Sequence, residues 1–323
     1  MPEDVWMNTV KKNKPGLNPV MHVVLLLVAL SVLSPVGRGG DGWIPLVGGF
    51  FNAELLGNQY LSVPLMVLCL AVTMLGMHMI LMKTNAIPPG RSALLFLALL
   101  ASNPYSLDFN QIYPVMACMV WAQFCLLERQ VFVAYLLMSM ASLFYAPVIW
   151  IVAVLLLLMP VNGLPDQFRV FVTSLAGACL PHLYLLVFRW IKFNDAGVYL
   201  YHFANEAIET GMPFHYLGLT DYFMILVVFY ILFRSVSHFV VKGPKGFMEY
   251  MFRMNGLMVF VAFVLFILFG GNQHLPLLPL AFVPVSILSA YYFKRCEKLY
   301  RANIEYLVLM CSLVLCGLSH LMN

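Results

Sequence analysis

The sequence predicts an all-α polytopic transmembrane bundle of about 11 spans, N-terminus inside and C-terminus outside. Three observations predict it. Of 323 residues, 62% are hydrophobic and 10% charged, against about 45–50% and about 25% in soluble domains, so charge is too scarce to coat a water-facing surface. Apolar blocks of about 15–22 residues recur from end to end, giving a mean hydropathy of +0.88. The alternating pattern of a membrane barrel strand is absent.

The first block, 20–36, follows KKNKPGLNP and precedes GRGGDGW. No small-x-small cleavage site follows it, so it reads as a retained helix rather than a signal peptide. Blocks 61–82, 92–107 and 110–127 come next. Then Val131 to Val161 runs without a charge through Tyr145-Ala146-Pro147. Pro147 cannot donate a helical hydrogen bond and pushes Ala146 out of the α region, which favours two short helices folded back at this point.

Charge supports that hairpin. With it, the inside segments hold 15 of the 18 Lys and Arg, leaving only Arg38, Arg189 and Lys192 outside. With one long helix everything after Val161 inverts, and 8 of 18 lie inside. The remaining blocks are 170–188, 217–233, 254–270, 275–293 and 304–321. Several fall short of the about 20 residues a bilayer asks for, and require tilt or burial within the bundle.

Residues 1–323 thus form a single transmembrane domain, with two outer-face loops bearing interfacial helices at 37–60 and 190–216. There is no soluble domain or internal repeat, and an odd span count argues against a two-halves transporter. Six of the seven cysteines lie in apolar blocks and none forms Cys-x-x-Cys, so they read as small hydrophobes. Basic residues are dispersed, which argues against nucleic acid.

Polar chemistry concentrates in the outer loops. Glycines flank Arg38 and Asp41, and IPLVGGFFNAELL is apolar enough to lie along the membrane surface. Asp41 is the candidate acid or base facing a lipid-linked substrate; its plainer reading is a solvated aspartate in a connector. From 197 to 210 the spacing is helical, with Val198, Tyr201, Ala204 and Ile208 on one face and His202, Glu206 and Glu209 on another. A His and a Glu one turn apart can share a cation only with further ligands from elsewhere, so no metal is assigned. Arg189 and Lys192 suit a phosphate, or plain headgroup anchoring by snorkelling.

Inside the spans, His22, His78, His182 and His320 read as helix–helix hydrogen-bond partners. No Asp, Glu or Arg sits at mid-membrane, which disfavours an ion-coupled pump. No P-loop, dinucleotide fingerprint, Gly-x-Ser-x-Gly or His-Glu-x-x-His is present, and no cofactor is implied.

Three stretches carry a resemblance: NAIPPGRSALLFLALLASNPYSLDFNQIYPVMACMVWAQFCLLE, MASLFYAPVIWIVAVLLLLMPVNGLPDQFRVFVTSLAGACLPHLYLLVF and GGNQHLPLLPLAFVPVSILSAYYFKRCEKLYRANIEYLVL. They resemble an uncharacterised family of polytopic inner-membrane proteins from Bacteroidota, which implies a multi-pass protein of the bacterial inner membrane and no activity. More distantly, the chain is similar to GT-C membrane glycosyltransferases. That likeness implies glycosyl transfer from a polyprenyl-phosphate-linked sugar at the outer face. Asp41 would be the base, Arg38, Arg189 and Lys192 would neutralise the lipid phosphate, and His274, His202 and Glu206 would line the cavity. The chain departs from that class in lacking a paired acidic motif in the first loop and a large C-terminal domain. The alternatives are a non-catalytic scaffold that binds another envelope protein, and a lipid transporter.

Overall fold

The computed structural model describes residues 59–84, 89–103, 109–158, 167–208, 219–242, 247–269, 278–295 and 299–322. Arg38 and Asp41, with most of the 37–60 loop, and His274 lie outside the described residues. Every regular element among the described residues is a helix: α1 Gln59–Lys83, α2 Pro89–Ala101, α3 Ile112–Leu127, α4 Val131–Phe144, α5 Val148–Leu158, α6 Gln167–Phe193, α7 Ala196–Ile208, α8 Leu219–Lys242, α9 Phe247–Phe269, α10 Pro279–Arg295 and α11 Leu299–Met322. Three contain segments long and apolar enough to cross a membrane: Leu61–Lys83, Phe168–Ile191 and Met251–Leu268.

Cross-helix contacts give the helix directions. Trp121 Nε1 donates to the Val72 carbonyl at 3.1 Å, and Lys83 pairs with Glu128, so α1 and α3 run parallel. A Schellman turn then reverses the chain: Gln130 N–H bonds the Cys125 carbonyl, Arg129 N–H bonds that of Leu126, and Arg129 takes φ 58°. Beyond it, Gly177 of α6 packs on the Phe132 carbonyl of α4, Ser139 Oγ donates to the Ala178 carbonyl at 2.5 Å, and Ser142 meets His182. Positions advance together on both helices, so α4 and α6 are parallel.

That relation decides the break at Tyr145. Tyr145 is extended (φ −145°, ψ 102°) and ends α4, and α5 starts at Val148. Because Gly177, well inside α6, already lies beside the start of α4, the intervening chain, which includes α5, must return along the bundle. The chain thus breaks at the expected place, into the two short helices α4 and α5.

Elsewhere, Tyr306 O–H donates to the Arg91 carbonyl and Gly317 lies against the Ala101 carbonyl, which makes α2 and α11 parallel. Ser102 touches Met224 while Arg234 pairs with Glu305, so α8 runs opposite to both. α10 packs on α1, α2, α3, α8 and α9, and its residues 279–290 are all buried. A helix apolar on every side belongs in such a central position.

The helices also outrun the apolar blocks. α8 extends to Lys242, α9 begins at Phe247, and α11 at Leu299. Charges at 234, 249, 253 and 305 lie within helices and pair with one another: Arg234 with Glu305, Arg253 with Glu249. A charge limits the apolar stretch, but it does not end a helix.

Candidate functional site

A cluster of polar side chains lies where α6 ends and α7 folds back. Asn194 takes φ 55°, the left-handed conformation that asparagine tolerates, and terminates α6. The reversal brings Asp195 under Arg189. Arg189 Nη2 meets Asp195 Oδ2 at 2.8 Å and Nε meets Oδ1 at 3.2 Å, a bidentate fork. The same guanidinium stands 5.8 Å from the ring centroid of Tyr199.

Tyr199 is the anchor of α7. It is 1% exposed and packs on Leu143 and Leu185. Its hydroxyl lies 3.1 Å from His182 Nδ1, and His182 Nε2 lies 2.9 Å from Ser142 Oγ. The Phe203 and His182 rings meet in a T-shaped arrangement with centroids 4.7 Å apart. Further along α7, Trp150 Nε1 donates to the Ala207 carbonyl at 2.8 Å. One hydrogen arrangement uses every group. Ser142 O–H donates to the Ser139 carbonyl at 2.7 Å, so Ser142 Oγ accepts from His182 Nε2–H. Nδ1 is then the acceptor for the Tyr199 O–H. In this arrangement the imidazole gives its proton toward serine instead of taking one. Ser142 is therefore not an activated nucleophile, and the chain Tyr199–His182–Ser142 works as a latch. Burial pushes the Tyr199 phenol up to about 12, with Arg189 pulling the other way, so it remains a donor at ordinary pH.

The sequence candidates are only partly gathered here. Arg189 is in the cluster, its fork held by Asp195. Lys192 belongs to the last turn of α6, and its side chain lies outside the described residues. His202 is exposed and meets the Tyr201 ring edge-on, while Glu206 is half-buried. The stripe of Val198, Tyr201, Ala204 and Ile208 faces away from the bundle, and Tyr199 and Ala207 face into it. Thus α7 has two apolar sides, one docked and one open.

No family model, curated protein or solved structure matches the chain.

Sequence reasoning expected helix–helix hydrogen bonding from His182 but did not single out Tyr199, Ser139, Ser142 or Trp150. Besides His182, the Arg189–Asp195 pair carries a readable trace, two opposite charges flanking an Asn turn. A serine, a tyrosine and a histidine spread over 58 positions carry no local pattern.

Proposed function

We propose that the chain is a multi-pass protein of the bacterial inner membrane, with eleven spans, N-terminus inside and C-terminus outside, whose bundle serves as a non-catalytic platform presenting α7 at the outer face. One observation carries the platform reading. The polar groups gathered at the α6–α7 turn are matched to each other: Arg189 to Asp195, Tyr199 to His182, and His182 to Ser142. Such mutual satisfaction fixes a helix, whereas a reaction centre keeps groups available for substrate. The open side of α7, with Val198, Leu200, Tyr201 and Ile208 exposed, suits contact with lipid or with another envelope protein. The alternating helix directions and the return through α5 support the span count.

A second reading is glycosyl transfer from a polyprenyl-phosphate donor, with Asp41 as base and Arg38, Arg189 and Lys192 as the phosphate cradle. The surface helix beside Arg189 favours it. The Arg189–Asp195 fork counts against it, because a phosphate would have to displace a bidentate carboxylate.

Two experiments test these readings. In a cysteine-free background, an impermeant maleimide added to spheroplasts should label Asn194→Cys and spare Arg129→Cys and Arg169→Cys. Outside labelling of Arg169→Cys would sink the hairpin topology. In the native host, the platform reading expects Asp41→Asn to behave as wild type and Tyr199→Phe with Trp150→Phe to approach the deletion phenotype. Loss of an envelope glycan in a normally accumulating Asp41→Asn strain would instead establish the transfer reading.

A further inference from the structure

Away from α7, buried polar groups collect around α10 in the apolar core. Gln123 of α3 is 1% exposed and Asn255 of α9 is 0% exposed. The Gln123 amide reaches across to α9, where its Nε2 donates to Met258 Sδ at 2.7 Å. Asn255 lies one turn earlier on the same face of α9, three residues before Met258, and its Nδ2 donates to the Met251 carbonyl at 2.8 Å. Each amide thus uses an N–H, while both oxygens, Gln123 Oε1 and Asn255 Oδ1, have no hydrogen-bond partner among the described residues. α10 packs on both helices and carries Ser286, fully buried, whose hydroxyl is likewise unpartnered. Ser92 of α2 and Ser235 of α8, on two more neighbours of α10, repeat the pattern.

Unpartnered polar atoms at this depth are costly, about 1–3 kcal/mol each, and one such atom could be tolerated as a local defect. Such oxygens on α3, on α9 and on α10, which packs on both, call for a shared ligand. The chemistry wanted is specific: two amide oxygens need donors, and a serine hydroxyl can both give and accept. An anion would face two amide oxygens that repel it, and a cation would leave the serine proton without an acceptor. A water molecule fits, donating to Gln123 Oε1 and Asn255 Oδ1 and accepting from Ser286, close to the about three bonds a buried water makes.

We propose that the α3–α9–α10 junction is an internal water-binding site, built by Gln123, Asn255 and Ser286 beside the Met258 thioether. This site is independent of α7 and of either reading of its role. It also gives a physical reason for two amides and a hydroxyl in an otherwise apolar junction.

The test uses Met258, which is 3% exposed, as a reporter on the detergent-purified protein. Pulsed X-ray radiolysis generates hydroxyl radicals from bound water, so Met258 should be oxidised several-fold faster than Met66 and Met77, which are equally buried. A Met258 as inert as those two overturns the site. Gln123→Met keeps the shape and removes the amide. With water bound, it should lower Tm by a few degrees and slow Met258 oxidation. A higher Tm in Gln123→Met would mean a dry junction and would refute the proposal. So would a saturable rise in Tm with NaCl or KCl that this variant abolishes, which would make the site a cation site. Ser286→Ala repeats the comparison should Gln123→Met fail to accumulate.

Discussion

The Tyr199 hydroxyl lies 3.1 Å from His182 Nδ1, and this contact ties a helix outside the bundle to one within it. Seventeen residues separate the pair in sequence. The Asn194 reversal brings them together, and Ser142 from a third helix completes the chain.

Tyr199→Phe keeps the ring and its packing but leaves a buried imidazole nitrogen without its donor. It should destabilise the protein by about 1–3 kcal/mol, and Trp150→Phe, which loses one indole bond, by about 0.5–1.5 kcal/mol. Thermal unfolding in detergent measures both. Protease cuts within α7 should appear earlier in each variant than in wild type.

The same tyrosine makes stability depend on alkaline pH. Its phenol is held at about 12 in the folded protein, against 10.0 ordinarily, because burial disfavours the phenolate. Between those values the folded chain keeps a proton that the unfolded chain has released. The Tyr199 contribution is therefore fully present below pH 10 and is lost as pH rises toward 12. The Tm difference between wild type and Tyr199→Phe should shrink over that window and stay constant below it.

Gly177 and Gly256 should respond oppositely to alanine. A Cβ at Gly177 would lie 2.5 Å from the Phe132 carbonyl oxygen, so Gly177→Ala must push α6 from α4, at about 1–3 kcal/mol. Nothing lies within 4 Å of a Cβ at Gly256, so Gly256→Ala should gain up to about 1 kcal/mol of helix propensity. Equal loss in both variants would refute the close α4–α6 contact.

Two ion pairs should differ in the same way. Glu305 is 15% exposed and joins α11 to Arg234 of α8, while Arg253 is 71% exposed and pairs with Glu249 within α9. Glu305→Gln should cost about 1–3 kcal/mol, by leaving a half-buried guanidinium poorly matched. Glu249→Gln should cost no more than about 0.5 kcal/mol and lose its effect in high salt. Chemical denaturation at two ionic strengths separates them.

The helical class and the break at Tyr145-Ala146-Pro147 were legible in the sequence. Apolar length, proline and charge act locally, and each leaves its mark where it acts. Helix ends were less legible: cutting at Arg234 stopped α8 too early, because Arg234 finds a partner in Glu305 of α11 and the helix continues through it, and cutting at Arg301 started α11 too late, since the helix begins at Leu299. Which side of α7 docks was not readable either. Val198, Tyr201 and Ile208 look as suitable as Tyr199 and Ala207, and the choice falls to the Tyr199 side because His182 and Trp150 wait there with matching groups. The central place of α10 has the same origin. The other described helices are at least as apolar over their length, and only three-dimensional packing determines which one its neighbours surround. Local chemistry in the chain thus determined where helices form and where the chain turns, while partner choice depends on distances between remote residues and was decided by the tertiary structure.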